Sequence, residues 1–345
     1  MYKRVIRPIL FLINPESAHY FVAAGLKFVF SIPGLAWLAK KLLTVDDSRL
    51  KKNVFGLNFN NPIGMAAGFD KEAKLYNHLQ NFGFSHVEIG TVTPKAQSGN
   101  PRPRLFRIPK DNAMINRMGF NNKGVEQVLK NLKKAKPKII VGCNIGKNTN
   151  TPNHEALNDY CQVFEAVHPY VDYCVINLSC PNIKYLDKLQ DKENTKKILE
   201  EIIRLNSQKS IKKPILLKIG PDHDEKQLDE IIEVVEQTGT DGIIATNTST
   251  TRDNLTTDIK KIESIGNGGL SGLPVKSKST RTIEYISKKT GGKLLIIGVG
   301  GIFSAEDALE KLNAGASLVQ IYTGFIYEGP AVVKQINKKL LKNIN

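Results

Sequence analysis

The stretch LLIIGVGGIFSAEDALEKLNAGASLVQIYTG, residues 294–324, shows the pattern that decides the fold. A run rich in Leu, Ile and Val, Leu294–Val299, ends at two glycines, and a second apolar run, Leu318–Tyr322, comes near the end of the stretch. Between them, Ser304–Asn313 has the apolar spacing of a helix. Two apolar strands joined by a helix predict a βαβ unit with parallel strands.

The same alternation begins near Asn61 and continues through the rest of the chain. Apolar runs occur at Ile63–Ala67, Val87–Val92, Ile139–Ile145, Tyr173–Leu178, Ile215–Ile219, Gly242–Asn247, Leu294–Val299 and Leu318–Tyr322. Helical patterns such as Asp224–Gln237 separate these runs. Eight units of strand and helix predict an α/β fold of the TIM (β/α)8 barrel type. A doubly wound open sheet is the alternative, but it requires a G-x-G-x-x-G motif after an early strand, and the sequence has none there.

The composition is that of a soluble globular protein with an unusual charge. Of 345 residues, 41% are apolar and 24% are charged, which excludes disordered, collagen-like and coiled-coil proteins. Lys and Arg number 49 and Asp and Glu number 33, a formal net charge of +16. Such a surplus predicts an anionic partner, which could be nucleic acid, an acidic lipid surface, or a phosphorylated or carboxylated ligand. The four cysteines have no zinc-like spacing, so we expect a reducing cytosolic compartment and no structural metal.

Residues 1–52 carry nine basic and three acidic residues, a local net charge of +6. The apolar run Ile9–Ile13 is shorter than the core of a secretory signal, and Tyr20–Trp37 is interrupted too often for a spanning helix. The pattern instead predicts two short helices with apolar faces, the first capped by Asn14 and the second at about Leu35–Leu43. Such helices either anchor a protein at a membrane surface or pack on the main domain, and periodicity leaves both open.

A barrel of this type places its active site at the carboxyl ends of the strands, where this sequence is rich in amides, hydroxyls, glycines and lysines. Backbone N–H groups that a ligand can approach closely suit a phosphate. The residues that would supply them after the last strands are Gly272, Gly300, Gly301, Thr323 and Gly324. Side-chain amides suit a planar ring with carbonyl and N–H edges, and they are Asn116, Asn144, Asn177, Asn182 and Asn247. We therefore predict a phosphate-bearing cofactor and a planar ligand.

Two lysines and one cysteine at strand ends are candidates for the chemistry. Lys71 and Lys218 could each form a Schiff base or act as a fixed positive charge, and the sequence does not separate these roles. Cys180 could be a general base or a structural thiol. Nucleophilic Cys–His catalysis is disfavoured, because no histidine follows a predicted strand.

A series of short motifs supports a more specific interpretation. They are NPESAH (14–19), AAGFDK (66–71), EIGTVTP (88–94), GNPRPRLFRIP (99–109), INRMGFNN (115–122), NIGKN (144–148), NLSCPN (177–182), IATNT (244–248), GGLSG (268–272), GVGGI (298–302) and QIYTG (320–324). In this order and spacing, they resemble the dihydroorotate dehydrogenases, specifically the membrane-associated, quinone-linked class. The resemblance extends from about Asn14 to Gly329.

The resemblance implies flavin mononucleotide (FMN) as the cofactor and dihydroorotate as the substrate. FMN would contact Ala67, Gly68, Phe69, Asp70, Lys71, Thr91, Asn144, Asn177, Lys218 and Thr246, with its phosphate on Gly272, Gly301, Tyr322 and Thr323. Dihydroorotate would contact Lys71, Asn116, Arg117, Met118, Gly119, Phe120, Asn177, Asn182, Asn247 and Thr248. Cys180 would be the base that removes the C5 proton, at a position where the quinone-linked class usually has serine.

The resemblance also implies two domains, a helical hood of residues 1–45 and an FMN-binding barrel of residues 46–345. A membrane quinone would reach the flavin through the hood, past His19, Arg107 and Tyr322. We expect a monomeric enzyme of pyrimidine biosynthesis, held peripherally on the cytoplasmic side of the cell inner membrane, with no nucleic-acid partner.

Two other functions were weighed against this one. A tRNA dihydrouridine synthase is also a flavin barrel, but it needs an RNA-binding domain, for which residues 330–345 leave no room. A non-catalytic scaffold would not need Lys71 or Cys180.

Overall fold

The computed structural model describes residues 1–179, 191–253 and 255–343. The strands are β1 Lys52–Val54, β2 Leu57–Phe59, β3 Ile63–Asp70, β4 His86–Val92, β5 Leu105–Ile108, β6 Ala113–Asn116, β7 Ile140–Ile145, β8 Tyr173–Asn177, β9 Ile215–Ile219, β10 Gly242–Ala245, β11 Gly269–Gly272, β12 Leu295–Val299 and β13 Leu318–Ile321. The helices are α1 Arg7–Leu12, α2 Pro15–Ser31, α3 Leu35–Leu43, α4 Tyr76–Leu79, α5 Val125–Lys134, α6 Ala156–Val167, α7 Lys192–Ser207, α8 Glu225–Thr238, α9 Ile259–Ile265, α10 Lys276–Lys289, α11 Ala305–Asn313, α12 Thr323–Glu328 and α13 Val332–Asn343.

Eight of the described strands close into a barrel, in the order β3, β4, β7, β8, β9, β10, β12, β13. Neighbouring strands are parallel, and the ring closes where Val319 of β13 pairs with Ile63 of β3. These are the eight strands that the sequence predicted, so the TIM barrel is confirmed. The largest difference in bounds is in β3, which runs to Asp70 with an irregular register between Met65 and Asp70.

The barrel strands are buried on both faces, as expected when helices cover a closed parallel sheet. Side chains that fill the interior include Val175, Leu216, Ile244 and Ile297. The hairpin formed by β1 and β2 adds Phe59 to this interior cluster, and the Phe59 ring packs on His86, the first residue of β4. The hairpin therefore lies at the amino-terminal end of the barrel, opposite the expected active site.

A second, antiparallel sheet of β5, β6 and β11 was not predicted. Each of its strands has only four residues, and Gly269 of β11 pairs with Asn116 of β6 across 153 positions of sequence. No local pattern could indicate such a pairing. Its apolar side chains pack against Ile262 and Ile265 of α9.

The two predicted N-terminal helices are present as α2 and α3. The Asn14 side chain accepts hydrogen bonds from the backbone N–H groups of Glu16 and Ser17, as predicted for an N-cap. A bend of 109° separates α2 from α3. Among the described residues, no single helix is long and apolar enough to cross a bilayer, and only the bent pair of α2 and α3 passes that test together.

One side of these helices packs on the barrel and the other is exposed. The Phe30 ring lies 5.6 Å from the Phe82 ring, and Leu26 and Leu43 also pack against the core. Large apolar side chains of α2, α3 and their connection that remain exposed are Tyr20, Phe21, Phe28, Val29, Ile32, Trp37, Leu38 and Leu42. Packing on the main domain therefore accounts for one face of these helices but not for the exposed apolar face.

Candidate active site

A pocket of about 1190 Å³, including its opening to solvent, lies at the carboxyl ends of the barrel strands. We call it the mouth pocket. Predicted site residues that line it are Ala67, Gly68, Lys71, Thr91, Asn116, Met118, Gly119, Phe120, Asn177, Lys218, Thr246, Asn247, Thr248, Gly272, Gly300, Gly301, Tyr322, Thr323 and Gly324. Residues from the unpredicted sheet, among them Leu105, Met114 and Ser271, line it as well. The three-stranded sheet thus supplies one wall of the pocket.

A buried polar network lies at the inner end of the mouth pocket. Asn144 is fully buried, accepts hydrogen bonds from the Thr91 hydroxyl at 2.6 Å and the Asn177 amide at 2.9 Å, and donates to Glu88 Oε1 at 2.6 Å. Lys218 Nζ donates to the same carboxylate oxygen at 3.2 Å. The network fixes the orientation of each amide, so their remaining polar groups are presented to a ligand in one arrangement.

Glu88 is the functional candidate that sequence reasoning missed. It lies within β4 rather than after it, and its side chain is fully buried with that of Lys218, which is 5% exposed. An acid inside the apolar run Val87–Val92 was the available signal, because a charged side chain is buried in a strand only when it is paired.

The two glycine loops at which we predicted a phosphate also line the mouth pocket. Gly301 has φ +71°, and a Cβ there would lie 2.6 Å from the Cα of Lys276. Gly272 has φ +102°, and its Cβ would lie 2.3 Å from the carbonyl oxygen of Asn112. A side chain therefore fits at neither glycine, and because both glycines line the pocket, a bound anion could come close to their backbone. The hydroxyls of Ser271 and Thr323 lie 2.9 Å apart beside them.

The amides that we predicted to bind the substrate are oriented by hydrogen bonds within the protein. Asn247 donates from its amide to both the carbonyl and the hydroxyl oxygen of Ser179 at 3.1 Å, and Ser179 N donates to Asn177 Oδ1 at 3.2 Å. Lys71 Nζ donates to Asn121 Oδ1 at 2.5 Å. The predicted base Cys180 and the predicted ligand Asn182 lie outside the described residues.

Four residues predicted to contact FMN or dihydroorotate are described by the structure but do not line the mouth pocket. Asn144 lies behind it in the buried network. Arg117 turns away, since its guanidinium lies 4.8 Å from the Phe106 ring and donates to backbone carbonyls of the neighbouring loops. Asp70 accepts three backbone N–H groups of residues 74–76, and Phe69 packs on His19, so both face a second cavity instead.

This second cavity, the hood cavity, separates α2 from the barrel. Its lining includes Glu16, His19, Tyr20, Ala23, Lys27, Phe69 and Asp70. The residues that line both cavities are Gly68, Lys71, Leu105, Met118 and Tyr322. The two cavities therefore adjoin through a wall that is one residue thick.

Two polar residues of the hood cavity, His19 and Tyr322, are uncharged near neutral pH. Burial, and then the Lys71 ammonium, lower the pKa of His19 to about 4. Burial raises the pKa of Tyr322 to about 12, and its hydroxyl lies 3.4 Å from the carbonyl oxygen of Gly68. A neutral imidazole and a phenol can each donate or accept one hydrogen bond with a ligand without carrying a charge themselves.

Arg107, the third predicted quinone-site residue, does not line the hood cavity. Its guanidinium lies 4.6 Å from the Phe11 ring and donates to the Ile13 carbonyl oxygen at 2.7 Å. Burial lowers the pKa of Arg107. The side chain instead holds the segment between α1 and α2 against β5.

A buried ion pair joins the hood to the part of the mouth pocket lined by Met118, and sequence reasoning missed it. Glu16 Oε1 and Oε2 accept from Arg104 at 2.7 and 3.1 Å, and both side chains are almost fully buried. Although burial raises the pKa of Glu16, hydrogen bonds from Arg104 and Arg102 hold it below its usual value. Arg104 also donates to the Asn100 carbonyl oxygen at 2.9 Å, and Asn100 N donates to the Met118 carbonyl oxygen at 3.1 Å.

The chain matches the family model described as dihydroorotate dehydrogenase over residues 49–344. A protein of Christiangramia forsetii named dihydroorotate dehydrogenase (quinone) is 53% identical over 342 residues, 99% of each chain. One of the same name from Roseiflexus sp. is 42% identical over 99% of this chain and 93% of its own. The ligand-free crystal structure of the Eimeria tenella enzyme superposes with a TM-score of 0.85 at 36% identity, over 96% of this chain and 95% of that one. The same enzyme with ferulenol gives a TM-score of 0.84, covering 96% of this chain and 91% of that one. The chain belongs to the dihydroorotate dehydrogenase family.

Proposed function

We propose that this protein oxidises (S)-dihydroorotate to orotate in pyrimidine biosynthesis and passes the electrons to a membrane quinone. The observation that carries the proposal is the shared wall of Gly68, Lys71, Leu105, Met118 and Tyr322 between the mouth pocket and the hood cavity. A hydride acceptor bound in the mouth pocket and a quinone bound in the hood cavity would be separated only by that wall. The names of the full-length relatives support the choice of substrate and acceptor.

FMN is the cofactor that the mouth pocket fits. Its phosphate would be held by backbone N–H groups near Gly272 and Gly301 and by the Ser271 and Thr323 hydroxyls. Its ring would lie on the buried network, with Lys218 supplying positive charge. Gln320 in the lining has a buried side-chain oxygen without a hydrogen-bond partner among the described residues, which suits a ligand N–H. When bound, FMN supplies a hydride acceptor that can be reoxidised by a quinone.

The residues of the chain bind the substrate and take its proton. Lys71 would offset the carboxylate of dihydroorotate, and the amides of Asn116, Asn177 and Asn247 would bond its ring. Cys180 is proposed as the base that takes the C5 proton as a hydride leaves C6. It directly follows Ser179, which Asn177 and Asn247 hold at the pocket. Asn182 is proposed as a further ligand of the ring.

The hood of residues 1–45 is proposed as the quinone entrance and the membrane-binding part, and residues 46–345 as the catalytic domain. The family match begins at residue 49, which supports this division. The uncharged His19 and Tyr322 would bond the quinone oxygens. The protein would be a peripheral monomer on the cytoplasmic side of the inner membrane.

An acceptor comparison tests the proposal. Purified protein reconstituted with FMN is supplied with dihydroorotate and either a quinone, fumarate or NAD⁺. We expect rapid reduction of the quinone alone, and a protein lacking residues 1–45 that keeps its flavin should reduce soluble dyes but not the quinone. Equal rates with fumarate or NAD⁺, or no flavin binding at all, would contradict the assignment.

A further inference from the structure

Almost all of the net positive charge of this protein lies in one part of the chain. Residues 1–138 contain 23 Lys and Arg against 8 Asp and Glu, a net charge of +15. Residues 139–345 contain 26 against 25, a net charge of +1. The hood and the part of the chain from β1 to the end of the loop after α5 therefore carry nearly all of the net charge of +16.

The fold collects part of this charge in a groove at the amino-terminal end of the barrel. The basic groove, as we call it, encloses about 2170 Å³ including its opening and lies between the starts of β3, β4, β7 and β8 and the end of α3. The charged residues that line it are Lys40, Lys51, Lys133, Lys136, Lys138 and Lys213, against Asp46 and Asp172. It lies at the opposite end of the barrel from the mouth pocket, so the proposed oxidation does not use it.

The groove lysines lack the ion pairs that neutralise lysines elsewhere on the barrel. None of these six lysines takes part in an ion pair among residues 1–179, 191–253 and 255–343. Lys213 donates to the carbonyls of His168 and Val171, and Lys133 lies 5.4 Å from the Tyr170 ring. On α10, by contrast, Lys278 and Lys289 each pair with a carboxylate. Unpaired like charges around one groove repel each other, and a bound anion would offset that repulsion.

The groove begins on the hood helix that also exposes apolar side chains. Lys40 and Thr44 at the end of α3 line the groove, while Trp37 on the same helix is 64% exposed and Leu42 is 58% exposed. Lys40 follows Trp37 by three positions on this helix, a rise of about 4.5 Å along its axis. An apolar helix face beside a cluster of cations is the combination by which helices bind at the interface of an anionic bilayer.

We propose that the basic groove binds the phosphate of an anionic phospholipid headgroup at the membrane surface beside α3. This inference rests on the proposed membrane association and adds to it the lipid class and the residues that recognise it. A soluble phosphate compound shares the chemistry, but the groove is lined by a single glycine, Gly83, whereas Gly272, Gly300, Gly301 and Gly324 line the mouth pocket. Nucleic acid is disfavoured because the aromatic residues of the groove are Tyr170 and the buried Phe84, too few for base stacking.

Vesicle flotation tests the proposal with the full chain loaded with FMN. Vesicles of phosphatidylcholine are compared with vesicles that also contain phosphatidylglycerol. The groove variant is Lys133→Gln/Lys136→Gln/Lys138→Gln, and the matched control, Lys260→Gln/Lys261→Gln/Lys293→Gln, removes the same charge from exposed lysines outside the groove. We expect the groove variant to lose about tenfold or more in partitioning to anionic vesicles only, and the control to change by less than about threefold.

Other outcomes would overturn the lipid assignment. They are equal anionic partitioning by both variants, binding of inorganic phosphate without any preference for anionic vesicles, or RNA binding that the groove variant alone loses. Quinone-dependent dihydroorotate oxidation in detergent is measured on the same samples and should be unchanged in both variants. A wild type that oxidises dihydroorotate but shows no anionic preference contradicts only the groove, whereas a wild type without that activity contradicts the proposed function.

Discussion

The hood helices and the barrel helices each pack apolar side chains against the core, but they expose different surfaces. In the barrel helix α7, Ile198 and Ile202 are buried, and Lys192 at its start pairs with Glu233 of α8 at 2.7 Å. In the hood, Phe28 of α2 is 70% exposed and Trp37 of α3 is 64% exposed. The outer surface of the barrel is therefore polar and charge-paired, whereas that of the hood is apolar.

This difference shows which of the two outer surfaces is suited to contact with solvent. A contiguous exposed apolar patch on a soluble protein marks a contact with a partner or a membrane, while an outer face of paired charges needs neither. The barrel stabilises itself and its pocket with internal contacts. The hood packs one face on the barrel and leaves an apolar face exposed, so changes in the two regions should have different consequences.

The largest effect is expected inside the barrel, where charges are buried. Lys218→Met leaves the Glu88 carboxylate buried without its cation. We expect the free energy of unfolding to fall by about 3–5 kcal/mol, because breaking a buried pair leaves an uncompensated charge. Urea unfolding without added FMN measures the loss.

A double variant separates charge from shape at this position. Glu88→Gln/Lys218→Met removes both charges and keeps an oxygen for the Asn144 amide, so most of the stability should return. If the double variant is as unstable as Lys218→Met alone, the Glu88 charge is not the cause.

A smaller effect is expected at the junction of the two regions. Glu16→Gln removes the carboxylate that Arg104 and Arg102 share. We expect a loss of about 3 kcal/mol in the free energy of unfolding. We also expect a higher KM for dihydroorotate, because Arg104 positions Asn100 and through it the backbone of Met118 at the pocket. Thermal unfolding and steady-state kinetics with a soluble dye measure the two effects.

Arg102→Ala provides the matched control for this junction. The Arg102 side chain is 67% exposed, so its removal should cost less than about 1 kcal/mol and leave the KM unchanged. A Glu16→Gln protein with normal stability and KM would mean that the hood and the substrate loop are independent.

The sequence predicted the parts of this comparison that local patterns determine. Repeated apolar runs were sufficient for the eight barrel strands, and Asn14-Pro15 for the start of α2. Most glycines and amides at strand ends do line the mouth pocket. In each case the residues that decide the structure are close together in the chain.

The parts that were missed depend on contacts between distant residues. The pairing of β6 with β11, the Glu16–Arg104 ion pair across 88 positions and the Glu88–Lys218 pair across 130 positions leave no periodic trace in the sequence. Arg107 belonged to a recognised motif, yet its side chain extends to Phe11 rather than into the hood cavity. Periodicity also could not show that the helices of the hood use one face for the barrel and leave the other exposed.

The smallest effect on stability, and the sharpest test of the comparison, is expected on the exposed face of the hood. Phe28→Ser/Trp37→Ser should change the free energy of unfolding by less than about 0.5 kcal/mol for each residue, because both side chains are already exposed in water. The same variant should partition about tenfold or more weakly to phosphatidylcholine vesicles, since each side chain no longer transfers apolar area into the bilayer. Ile259→Ser is the matched control, because Ile259 on α9 is 70% exposed but lies outside the hood, and it should change neither quantity. If Ile259→Ser weakens vesicle binding as much as the hood variant does, exposed apolar area anywhere on the surface is sufficient, and the hood has no special role. If instead the hood variant unfolds readily, its aromatic side chains serve the fold, and the two sets of helices differ less than their exposed surfaces indicate.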